Sequence, residues 1–177
     1  IVSKTPGTYV KNVTIISDDI VETDEDFTFS ISNLITTGDA DVIFGTMTQT
    51  GTIFNDDQTQ VRISSEGTIA ETNGNITSPF TLTLDDQGSN NARSIDEDLY
   101  VYISGSDFNF GTGHLATQDV DYDIESNSIV TLAAGEMTKT FTITIIGDAV
   151  VERDEFLELI IDDIEVADPE ITSYTFD

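Results

Sequence analysis

The acidic phrase Asp18-Asp19-Ile20-Val21-Glu22-Thr23-Asp24-Glu25 returns later in the chain as Asp148-Ala149-Val150-Val151-Glu152-Arg153-Asp154-Glu155, and carboxylates gathered at such spacing do one kind of chemistry well: they hold a hard cation. Calcium takes roughly six to eight oxygen ligands at about 2.3–2.6 Å, in a geometry flexible enough for several loops to contribute. Soft metals are disfavoured. The chain has no Cys and a single His, His114, so zinc and copper lack their usual ligands. Two carboxylates about 5 Å apart repel by roughly 3 kcal/mol at an effective dielectric near 20, so a cluster of four or five calls for a cation or a proton. A cation bound only by the folded form stabilises it by about 2.7 kcal/mol at a hundredfold excess over its dissociation constant.

The elements that must position these carboxylates are strands. In both copies an aliphatic pair precedes the phrase (Ile15-Ile16, Ile145-Ile146) and alternating apolar residues come after it (Phe27, Phe29, Ile31; Leu157, Leu159, Ile161). The same period of two runs through Val61/Ile63, Phe80/Leu82/Leu84, Leu99/Val101/Ile103 and Phe141/Ile143/Ile145, as in half-buried strands. Turn residues punctuate the runs at Asn73-Gly74, Asp85-Asp86-Gln87-Gly88 and Gly111-Thr112-Gly113. No helical period competes, and an all-β antiparallel sandwich is expected. The stretches 85–98 and 104–118 are long for hairpin loops.

Charge narrows the partners. A formal net charge of −28, from 34 acidic against 6 basic residues, repels nucleic acid and anionic membranes and attracts cations. At 177 residues the chain can bury a sizeable core without disulfides, and bound calcium is a candidate staple. No run is long enough for a membrane-spanning helix, and Ile1-Val2-Ser3-Lys4-Thr5-Pro6 lacks the apolar core of a signal peptide, which fits a mature or excised extracellular segment.

The repeat extends beyond the acidic phrase. Ile1-Val2-Ser3, Gly7, Lys11 and Val13 match Ile129-Val130-Thr131, Gly135, Lys139 and Phe141 at a constant offset, and Gly51-Thr52-Ile53-Phe54-Asn55-Asp56-Asp57 is echoed by Ser173-Tyr174-Thr175-Phe176-Asp177. Residues 1–57 therefore read as the C-terminal half of a first sandwich and 58–177 as a nearly complete second one. A half sandwich has open strand edges and an apolar face, so preceding chain or a protein partner is expected to supply strands.

With these residues in order, the chain resembles tandem Calx-beta domains, found in sodium/calcium exchangers, an integrin subunit and large bacterial surface proteins. The second copy carries the pattern through Ala70-Glu71, Asn73-Gly74, Asp121-Tyr122, Gly135 and Asp148, Glu152 and Glu155; the first copy has only the later motifs. The resemblance implies seven-stranded, immunoglobulin-like sandwiches with calcium held by loops at one end. Carried over residue by residue, it implies ligands at Glu71, Asp121, Asp148, Glu152, Glu155 and Asp177 in the second copy, and at Asp18, Glu22, Glu25, Asp56 and Asp57 in the first. Asn55 stands where the family often has an acid.

Competing chemistry is thin. Asp119-Val120-Asp121-Tyr122-Asp123 opens like an EF-hand loop, but Ile124 replaces the required Gly and Val130 the closing Glu. His114 lies in a Gly-rich loop with no evident nucleophile, and paired carboxylates without a cleft make a poor glycosidase, so no enzyme is expected. Asn12-Val13-Thr14 and Asn75-Ile76-Thr77 are formal glycosylation acceptors, and Phe108-Asn109-Phe110 reads as an apolar anchor for its loop. Two function classes remain. One is a calcium-binding, cell-surface structural or adhesive module whose linker, Asn55-Asp56-Asp57-Gln58-Thr59-Gln60, is stiffened by the ion, with neighbouring repeats or a surface or carbohydrate receptor as partner. The other is a metal-independent spacer or assembly subunit completed by strands from elsewhere, in which acidic turns only keep a Thr-rich sandwich soluble.

Overall fold

Alternating burial along the strands sets the architecture. In this computed structural model the described residues are 7, 9–33, 43, 45–65, 67–85, 93–106, 114–124, 128–168 and 174–176. They form β1 (Ile20–Val21), β2 (Glu25–Ser30), β3 (Thr48–Ile53), β4 (Thr59–Ser65), β5 (Ile76–Asp85), β6 (Ser94–Ile95) and β7 (Leu99–Gly105). Next come β8 (His114–Leu115), β9 (Tyr122–Asp123), β10 (Ser128–Leu132), β11 (Thr138–Ile145), β12 (Glu155–Phe156), β13 (Leu159–Val166) and β14 (Tyr174–Phe176), with no helix among the described residues. The chain divides into two units, Ile1–Asp18 with Asp26–Ile53, and Asp19–Glu25 with Phe54–Asp177.

The larger unit is the expected sandwich. One sheet has the order β14-β4-β5-β11-β9 and the other β10-β7-β13. Within them only β14, beside β4, runs parallel to its neighbour; the other ladders are antiparallel. Phe80, Leu82 and Leu84 of β5 and Leu99, Val101 and Ile103 of β7 point inward on alternate residues, and together with Val61, Tyr122, Val130, Leu132, Ile143 and Ile164 they make one core. Phe80 and Phe141 stack at 5.8 Å across the β5–β11 ladder. Between β4 and β5, Arg62 Nε lies 2.8 Å from the buried Asp85 carboxylate, and the Asp85 backbone carbonyl accepts the Thr59 hydroxyl at 3.1 Å.

One strand departs from simple alternation. Leu157, Leu159 and Ile161 continue in period two to Asp163, which would then face the core. A bulge between Ile161 and Asp163 shifts the register, so that Ile164 instead stands opposite inward-facing Val101 and is buried. The Ile164 N–H is taken by the Asp163 carboxylate at 2.9 Å.

In the smaller unit β2 pairs with β3, and the Ile31 N–H donates to the Met47 carbonyl at 2.8 Å. A Cβ at Gly51 would fall 2.6 Å from the Phe27 ring, so a larger residue there needs that ring to turn aside. The strand expected around Ile15-Ile16 does not form: residues 9–18 contain no strand, and Val10 and Ile16 are exposed. Its counterpart Ile145 is paired on both sides, with Ile76 and Tyr122, and a strand without such neighbours leaves its N–H and C=O groups to water. The matching stretch Ile1-Val2-Ser3 and the Phe108-Asn109-Phe110 and Gly111-Thr112-Gly113 motifs lie outside the described residues.

Candidate metal centre

Three local devices bring the second copy's carboxylates to one end of the larger sandwich. The first is Tyr122. Its ring is buried and its hydroxyl lies against Gly105, where a Cβ would fall within 2 Å of the oxygen, and its backbone pairs with Ile145. The neighbouring Asp121, half-buried, is thereby held at the surface. The loop before it is tight: Asp119 takes a left-handed φ of 66°, which Asp tolerates better than most residues, and the Asp121 carboxylate accepts the Thr117 N–H at 2.6 Å.

The second device is Gly147, where the end of β11 passes the loop between β4 and β5. A Cβ there would lie 2.0 Å from the Thr72 carbonyl oxygen and 2.6 Å from that of Gly74. Only glycine permits this approach. It lets the Gly147 N–H donate to Asn75 Oδ1 at 3.3 Å and the Asp148 N–H donate to Glu71 Oε1 at 3.1 Å, which couples the Glu71 loop to the repeated phrase. The third device is the parallel pair β8–β12, which sets Glu155 opposite His114. Arg153 turns to His114, with Nη1 3.0 Å from Nε2.

The electrostatics show the crowding. Partial desolvation, and after it the negative charges of Asp148, Asp121 and Glu71, pushes the Glu152 carboxyl above its ordinary range. Desolvation, the charge of Asp121 and a hydrogen bond with it, and the charge of Glu152 push Glu155 up as well, with His114 opposing. Both side chains are exposed, so these are raised carboxyls at a wet rim. Glu71, Asp121, Asp148, Glu152 and Glu155 thus share one neighbourhood, while Asp177 lies outside the described residues. All five offer hard oxygen donors, which suits calcium chemically. Among the described residues no three of these groups converge closely enough to form a finished metal cage.

The first copy is built differently. The segment Asp19–Glu25 belongs to the larger unit. Ile20–Val21 runs parallel to Ser94–Ile95, the Asp96 N–H donates to the Val21 carbonyl at 3.2 Å, and Val21 is fully buried in the core. Arg93 Nη1 lies 3.2 Å from Asp19 Oδ1 and also bonds Asp57. Asn55 ties the rest together: its N–H donates to Asp24 Oδ1 at 2.9 Å, its amide NH₂ donates to the Asp57 carbonyl at 3.0 Å, and its Oδ1 accepts the Glu22 and Asp57 N–H groups at 3.5 and 3.3 Å. Glu22 is half-buried, and Asp18, Glu25 and Asp56 are exposed.

Arg93, Asn55, Asn75 and Gly147 were not among the expected site residues. Gly147 carried a readable signal, since it directly precedes the second phrase where the first has Ser17. Arg93 carried none, because its partners lie 74 and 36 residues away.

A family model described as Calx-beta domain matches the chain over residues 7–58 and 89–175. No curated protein and no solved structure gives a significant match.

Proposed function

We propose that this chain, which belongs to the Calx-beta family, is a calcium-binding repeat segment of an extracellular or cell-surface protein, acting as a structural or adhesive module rather than an enzyme. The observation that carries this reading is the gathering of Glu71, Asp121, Asp148, Glu152 and Glu155 at one end of the sandwich, with two carboxyls raised by their neighbours. These five are the residues that would hold the ion, and a bound divalent cation would supply the positive charge that offsets their repulsion. The sandwich itself provides the stiffness a structural module needs, and neighbouring repeats or a surface receptor are the partners that suit it.

Thermal melts in calcium and in chelator test the reading. A melting temperature several degrees higher in millimolar calcium than in magnesium at matched ionic strength is expected, and Asp121→Asn should abolish most of the difference. That variant keeps an oxygen acceptor for the Thr117 N–H while removing the charge. Identical melts of the parent chain in calcium and chelator would sink the proposal.

A second reading, a metal-independent spacer or assembly subunit, is favoured by a specific feature. Val10, Ile16, Ile43 and Phe54 are strongly exposed, as expected of chain that pairs with strands from elsewhere.

A further inference from the structure

We infer that the first acidic phrase is a metal-independent clasp in which the Arg93 guanidinium takes the place a cation would hold. The family leads one to expect calcium at Asp18, Glu22, Glu25, Asp56 and Asp57, and at Asp57 the side chains present do not fit it, because that carboxylate is held by Arg93. Arg93 bridges Asp19 and Asp57, and its side chain is 21% exposed against 13% for Asp57, so the cation is set into the fold rather than waving at its surface. Both contacts run from one guanidinium nitrogen, Nη1, and a guanidinium cannot be deprotonated near neutrality, so its positive charge stays beside the two carboxylates. A divalent ion approaching the same pair would meet that charge.

Asn55 supports the same reading. Its amide donates to the Asp57 carbonyl while its oxygen accepts two N–H groups. An ionised acid at this position could not donate.

The two copies of the phrase have accordingly diverged. Asp19 is replaced by Ala149 in the second copy, which has no acid to offer an arginine there. Val21 is fully buried beside Ile95, whereas its counterpart Val151 is 98% exposed. The first phrase is thus an apolar plug locked by an ion pair, and the second is a rim of open carboxylates. The inference stands apart from the calcium reading of the second copy, because nothing in the clasp depends on that rim.

Hydrogen exchange of the Asp96 amide, which donates to Val21, reports whether the clasp is closed. In the full chain this amide is expected to be equally protected in calcium and in chelator. Arg93→Gln should lower its protection about tenfold, and the milder Asp19→Asn at a mostly exposed position about twofold, in both conditions, with amides of β5 and β7 unaffected. Calorimetric titration of Asp19→Asn should give the same number of calcium equivalents as the parent. Loss of Asp96 protection in the parent on chelation, full protection in Arg93→Gln, or loss of a calcium equivalent in Asp19→Asn would each overturn the inference.

Discussion

At the scale of single residues, Glu152 is where charge and stability meet most directly. Its carboxyl is raised by desolvation and by Asp148, Asp121 and Glu71, so the folded chain binds this proton more tightly than the unfolded chain does. A raised acid lowers stability as pH climbs from the ordinary glutamate range through the raised value, because the unfolded state then holds fewer protons than the native one. In chelator, Glu152→Gln is therefore expected to melt higher than the parent at pH 7, with the gap closing as pH falls below about 4.5. Melts across that range check it, and a variant less stable than the parent at pH 7 would assign Glu152 a structural role. Glu136 works in the opposite sense. The Ala133 N–H and then Lys139 hold its carboxyl below the usual range, so what it contributes is present above the unfolded value and fades as pH falls through the folded one.

At the scale of elements, the approach of β11 to the loop between β4 and β5 decides whether Glu71 and Asp148 meet. With carbonyl oxygens of Thr72 and Gly74 at 2.0 and 2.6 Å from a hypothetical Cβ, Gly147→Ala must push the loop aside. A stability loss of about 1–3 kcal/mol is expected from the overpacking alone. Denaturant titration measures that loss, and a calcium titration of the same variant should show weakened affinity if the Glu71 loop contributes. Much of this level was legible beforehand. The strands at Phe80/Leu82/Leu84 and Leu99/Val101/Ile103 can be read from period-two patterning because each buries one face only. The bulge in β13 was not legible, since Ile161-Asp162-Asp163-Ile164 has the same local composition with either register and only the inward positions of β7 choose between them.

At the scale of the whole molecule, a formal charge of −28 makes self-repulsion a general opponent of folding. Raising NaCl from about 10 mM to about 150 mM in chelator shortens the Debye length from about 30 to about 8 Å, and the melting temperature is expected to rise with it. Calcium at equal ionic strength should then add a further increment if the rim at Glu152 binds it specifically. Melts along the two series separate screening from binding, and coincident curves would leave only screening.

The doubled phrase and the period of two were enough to read an all-β sandwich, because alternation and turns are properties of residue types at short spacing, while the Calx-beta type and the expected ligands, Glu71, Asp121, Asp148, Glu152, Glu155 and Asp177 among them, came from the resemblance of motifs in order. What the chain alone left open is the difference between the two phrases. Both are Asp- and Glu-rich between strand-like runs, and local sequence does not distinguish an acid that meets other acids from one that meets an arginine. Tertiary structure decided it by bringing Arg93 to Asp19 and Asp57 and by seating Val21 in the core, while Val151 faces water. Coulombic partners act over a few ångströms in space, at separations along the chain that no local pattern records.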